Sequence, residues 1–128
     1  MSSTERLREH PEARLASPVQ LVDLAETADR LRAEPHPSVA GHRQIAVFRH
    51  GPVTLVHFVF DPDGLLKEHR AEGVVIIQAL AGRLLVQAQN KSHELEAGKL
   101  LALAPGVPHT VRALAPSEMV LTIHKLDS

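Results

Sequence analysis

Nine histidines carry most of the chemical potential of this chain of 128 residues, which has no Cys, Trp or Tyr. An imidazole changes charge near neutral pH, so it can ligate a metal, move a proton or anchor a ligand. Without Cys there is no thiolate metal site, Cys nucleophile, disulfide framework or thiol redox switch. Without Tyr there is no phenolic acid to partner a His. The nine are not equivalent. His10 lies in a charged opening stretch, and His36, His42 and His50 lie in loops or beside turns. His93 stands with Glu94 and Glu96 on an edge hairpin. These five read as solvated or capping side chains. His57, His69, His109 and His124 sit in or beside β-rich runs and are the candidates for chemistry.

Other reactive types offer less. The run Asp61-Pro62-Asp63-Gly64 pairs two carboxylates, but that composition at a strand end is turn chemistry. Glu68, beside His69, points outward on an extended segment. There is no nucleophile elbow, phosphate loop or dinucleotide fingerprint. Lys plus Arg number 14 against 15 Asp plus Glu, which argues against a polybasic nucleic-acid binder. Three Phe as the sole aromatics leave no stacking platform for single strands. No apolar run approaches the roughly 18 residues of a spanning helix, and the opening lacks a signal peptide's apolar centre. The expectation is a cytoplasmic domain without membrane or nucleic-acid partners.

The elements that must position the histidines are mostly strands. Residues 1–16 alternate charged and small residues without an apolar period and read as a flexible arm. Residues 17–42 form a helical lead-in and loop: Leu21, Leu24, Ala28 and Leu31 recur at helical spacing, and Glu34-Pro35 stops the run. A helix starting at Ser17-Pro18 with Gln20 completing a capping box is one reading. An edge strand over 19–24 with a helix over 23–33 is the other. From residue 43, β-rich runs at 44–48, 53–60, 74–80, 83–89, 100–104, 109–114 and 119–125 are separated by turn signals such as His50-Gly51-Pro52, Gln89-Asn90 and Pro105-Gly106. Short strands at close spacing predict an all-β domain, a sandwich or barrel. Several runs are apolar on both faces: Val53, Leu55, His57 and Val59 oppose Thr54, Val56, Phe58 and Phe60. The surplus face must meet the helix or a second subunit.

Two segments resemble a known family. GLLKEHRAEGVVIIQALAG, from Gly64 to Gly82, and GKLLALAPGVPH, from Gly98 to His109, are similar to the two motifs of the cupin superfamily. The resemblance spans residues 43–126. It implies a double-stranded β-helix, the cupin jelly-roll barrel, over those residues, with a short N-terminal helix before it. Within the family the first motif resembles that of small bacterial single-domain cupins, with His-x-x-x-Gly in place of His-x-His-x-x-x-Glu.

The resemblance also implies a place for a metal. A typical metal-binding cupin supplies His-x-His and a Glu, Gln or third His from the first motif and a His from the second. Strand residues two apart point to one side, where imidazoles and a carboxylate can hold Zn, Fe, Mn or Ni. Here His69 and His109 match the first and last positions, while Ala71 and Val75 stand where the middle ligands belong. Gln78 lies off parity from Val75 and Ile77, among Val74, Ile76 and Leu80, an apolar surface suited to a homodimer contact.

Three readings follow. In the first, a small molecule binds a mainly apolar pocket lined by Leu55 or Val56, His69, Ala71, Val75, Ile77, His109 and Val111, with the two His as polar anchors and no cofactor required. In the second, His69, His109 and His57 or His124 hold a divalent transition metal in a dioxygenase- or isomerase-type enzyme. In the third, His69 or His109 is the general base of a metal-free isomerase or cyclase.

Overall fold

The computed structural model describes residues 17–126. Helix α1 (Leu24–Arg32) is capped by Asp23, whose carboxylate accepts the Glu26 N–H at 3.1 Å, a cap contributing about 1 kcal/mol. Residues 19–23 form neither strand nor helix, because Asp23 satisfies the first free helical donor and starts the helix there. Ala28 and Leu31 are buried against Val59, with Ile45 beside them. That contact covers part of the surplus apolar face of the second strand.

Nine strands follow among the described residues: β1 (His42–His50), β2 (Val53–Phe60), β3 (Leu65–His69), β4 (Gly73–Ala81), β5 (Arg83–Ala88), β6 (Lys91–Glu96), β7 (Leu100–Leu103), β8 (His109–Ala113) and β9 (Ser117–Lys125). They divide into a five-stranded sheet, β1-β2-β9-β4-β7, and a four-stranded sheet, β3-β8-β5-β6. Every ladder is antiparallel. The chain passes repeatedly from one sheet to the other, so neighbours in sequence often face each other across the core.

The closed barrel implied by the family resemblance is not what forms. Among the described residues no ladder joins β1 to β3 or β6 to β7, and each sheet ends in two open edges. The physical reason lies at the corners. After β6 the turn at Gly98 and Lys99 bonds back to Glu96 and across to Ala79, the Gly98 N–H donating to the Ala79 carbonyl at 3.1 Å. It hands the chain to the opposite sheet without continuing the ladder. β3 is a short edge strand with a register break between Leu66 and His69. The result is a two-sheet sandwich.

The core fills the space between the sheets. Phe58, Phe60, Val75, Ile77, Ala79, Met119 and Leu121 come from the five-stranded sheet; Leu84, Val86, Ala88, Leu95, Val111 and Ala113 come from the other. β2 therefore sends Phe58 and Phe60 inward and His57 and Val59 outward. On the outer face, Arg32 at the end of α1 donates to Glu118 at 2.8 Å, and the other Glu118 oxygen lies 3.6 Å from His57 Nε2.

Candidate functional site

β3 and β8 are adjacent, and their register sets His69 opposite His109. The two rings are in contact, with centroids 4.3 Å apart and planes tilted by 59°. Each ring is oriented by its own strand entry. His69 Nδ1 lies 3.1 Å from the Lys67 carbonyl, and His109 Nδ1 lies 3.1 Å from the Val107 carbonyl. A carbonyl only accepts, so Nδ1 is the protonated nitrogen in both rings and the neutral tautomer leaves its lone pair on Nε2. Pro108 holds the segment before His109 extended, and the Gly106 N–H ties that loop to the Ala71 carbonyl at 3.0 Å.

The pair lies at the margin of the core. His109 is 1% exposed, whereas His69 and Ala71 are half-buried. Burial lowers the His109 pKa from the ordinary 6.5, against the Val107 hydrogen bond, and the neighbouring His69 lowers it further. The contact thus adds to burial in disfavouring charge on His109. His109 Nε2 is buried with no hydrogen-bond partner. Val111 follows on the same face of β8, and Ala88 stands opposite His109 on β5. Val75 and Ile77 lie deeper, both within the core.

His57 and His124 are placed elsewhere. His57 is buried on the outer face of the five-stranded sheet, next to Glu118, and its ring makes no hydrogen bond. Burial lowers its pKa, partly offset by Glu118, which favours the charged form. His124 pairs with Val53 and Val74 and is exposed, on the face opposite Ile123 and Leu121. Neither projects towards the pair. Among the described residues no group of three or more His, Cys, Asp or Glu can hold a metal ion. Two imidazoles among aliphatic side chains supply too few donors for a structural or catalytic zinc-type centre, so the donor set does not fit the family's full metal site.

One histidine is more involved than its spacing indicates. His42 opens β1 with its ring 5.5 Å from Phe58 and 5.6 Å from Phe60. Its alternation with Gln44, paired with Phe58 across the ladder, is the signal that places it there. Two surface depressions stand out, the second adjoining the pair through Glu68, Ala88, Pro108 and Thr110. A groove of about 700 Å³ runs between α1 and β1, and a polar crevice of about 560 Å³ is lined by Glu68, Gln87, Asn90, Lys91 and Thr110 among others. Neither is lined by His69 or His109.

Comparison with known proteins agrees with this fold. TT1209 from Thermus thermophilus is 25% identical, with a TM-score of 0.67, over 84% of this chain and 100% of that one. A cupin superfamily protein from Desulfitobacterium hafniense, DSY2733, is 12% identical, with a TM-score of 0.69, over 88% and 96% of the two chains. KdgF from Halomonas sp. is 22% identical, with a TM-score of 0.62, over 72% and 86%. No curated protein matches. The fold is cupin-like, and the AraC-like ligand binding domain family matches residues 51–125. That match covers more than half of the sequence and includes both His69 and His109: the chain belongs to the AraC-like ligand binding domain family.

Proposed function

We propose that this domain binds a small molecule at the His69–His109 pair without a full metal centre. The observation that carries the reading is the matched pair of imidazoles, each held through Nδ1 by a backbone carbonyl and each left with Nε2 uncommitted. Fixing one ring nitrogen so that the other is free is how proteins prepare a His to meet a ligand. His69 and Ala71 form the approach, with Val75, Ile77 and Val111 as the apolar floor behind them. The metal-dependent dioxygenase or isomerase reading needs His57 or His124 beside the pair, and their strand positions point both away from it.

A metabolite extract added to purified protein is expected to raise Tm, since a ligand that binds only the folded state stabilises it. The rise should persist after chelator treatment and disappear in His69→Ala, whose side chain is only half-buried. An equal rise in His69→Ala would move the binding site elsewhere.

The domain is also read as a cytoplasmic homodimer. A chain without Cys suits a reducing compartment, and no described helix is long and apolar enough to cross a membrane. The outer face of β4 and β7 beyond α1 carries Val74, Ile76, Ala102 and Leu100, with Leu100 59% exposed and opposite Gln78. Light scattering at micromolar concentration should give a dimer mass. Ala102→Arg, an exposed position, should give a folded monomer whose Tm no longer depends on protein concentration. A monomeric parent protein would remove the dimer.

A further inference from the structure

Among the described residues, the four strands that end the two sheets are not equally guarded. A free edge offers unpaired N–H and C=O groups to any other strand, and charges or bulges keep such strands off. β1 carries Arg43 and Arg49 and a register break between Ala46 and Phe48. β3 carries Lys67 and Glu68 and breaks its ladder between Leu66 and His69. β6 carries Lys91, Glu94 and Glu96. β7 is LLAL, with no charge, no proline and no break in its pairing to β4. The nearest cation in sequence, Lys99, is held by Glu96 at 3.3 Å. Only this edge is undefended.

The register fixes which backbone groups lie open. The Ala79 N–H donates to the Lys99 carbonyl at 2.9 Å, so ladder alternation turns the backbone of Leu101 and Leu103 towards β4. Leu100 and Ala102 therefore turn theirs to the open side, and both residues are exposed. Resting on the homodimer reading above, we propose that two copies join edge to edge through β7, making their five-stranded sheets continuous. Two donors and two acceptors set two residues apart are self-complementary when a copy runs antiparallel. Leu100 of each chain then faces the partner's Ala102, and four hydrogen bonds form about a two-fold axis at Leu101. Leu101, half-buried against the core, meets the partner's Leu101 on the inner side. On the outer side Leu100 and Ala102 prolong the apolar surface of Val74 and Ile76. A strand from another protein would find no charge on LLAL to select it, whereas a second copy fits by symmetry alone.

Amide hydrogen exchange in the full-length protein reads this edge directly, because an amide must lose its hydrogen bond before it exchanges. Raising the concentration from mostly monomer to mostly dimer should slow Leu100 and Ala102 by about tenfold or more. Leu101, bonded to β4 in either state, is the reference. Ala102→Pro removes the open N–H and breaks no bond to β4, since proline is tolerated where an edge N–H faces outwards. It should give a folded monomer by light scattering, with Leu100 exchanging fast at every concentration. If that variant fails to fold, exchange in the unmodified protein decides alone. A dimer that survives Ala102→Pro, or fast exchange at Leu100 and Ala102 within the dimer, would overturn the edge pairing and leave the homodimer to the outer face. Slow exchange at both amides in a monomer would overturn it too, because the chain itself would then cover the edge. A parent protein that stays monomeric with both amides fast would remove the homodimer and the edge pairing together.

Discussion

Gly82→Ala is expected to be the most damaging single-methyl change in the molecule, costing upwards of about 3 kcal/mol. Gly82 joins β4 to β5 with φ at +78°, where an L side chain alone costs roughly 1–2 kcal/mol. A Cβ there would also overlap the Pro116 carbonyl oxygen and Ser117 Oγ. Neither can step aside. Ser117 is fully buried; its hydroxyl accepts the Arg83 N–H at 3.0 Å and lies 2.7 Å from the Ala115 carbonyl and 3.1 Å from the Arg83 carbonyl, one of which takes its proton. This hydroxyl links the two sheets where β4 leaves one and β5 enters the other. Gly98→Ala is the internal control, with φ at +93° but open space around the added methyl. It should lose only the backbone term. Denaturant unfolding measures both, and equal losses would show that the overlap at Gly82 is relieved by movement.

The strands were legible because alternation and turn residues are local signals. The run 53–60 coincides with β2, and Gln89 and Asn90, both with positive φ, form the tight link from β5 to β6. Two strands show no alternating run and read only as an extended segment around Glu68 and His69 and an edge hairpin around His93. β3, LLKEH, has two apolar residues and a register break, and β6, KSHELE, carries four charged or titratable side chains in six residues. Edge strands such as these are kept polar, which weakens their periodic signal. Whether the sheets close was also beyond a local reading, since closure depends on which strands end up adjacent. The motif spacing brought out His69 and His109, which the structure sets face to face. It could not orient His57, because β2 is apolar on both faces and either could have turned inward. Burial of Val59 under Ala28 and Leu31 of α1 decides that parity and carries His57 outward with it.

That outward burial has a consequence in acid. His57 and His109 are both almost fully buried, and burial lowers both pKa values from the ordinary 6.5. In the unfolded chain both regain the ordinary value, so below about pH 6.5 the unfolded state binds more protons than the folded one. Stability must then fall as pH falls from there, and the loss is complete only below the folded-state values. Above that window these two groups contribute no slope. Each can add at most about 1.4 kcal/mol per pH unit, so together they can dominate the acid limb of the stability curve. Glu118 moderates the His57 share, since an imidazolium 3.6 Å from its carboxylate recovers part of the desolvation cost. Arg32, already bonded to that carboxylate, opposes the recovery. Replacing the ring separates the contributions. His57→Leu removes a buried polar group that makes no hydrogen bond, an exchange that can be neutral or stabilising. It is therefore expected to leave Tm at pH 8 equal or higher and to flatten the decline between about pH 6.5 and 5. His109→Asn should flatten what remains. Calorimetric scans across that range measure both. A parent protein whose Tm is level or rising on acidification, or a slope unchanged by His57→Leu, would mean that the buried ring beneath α1 takes its proton without cost.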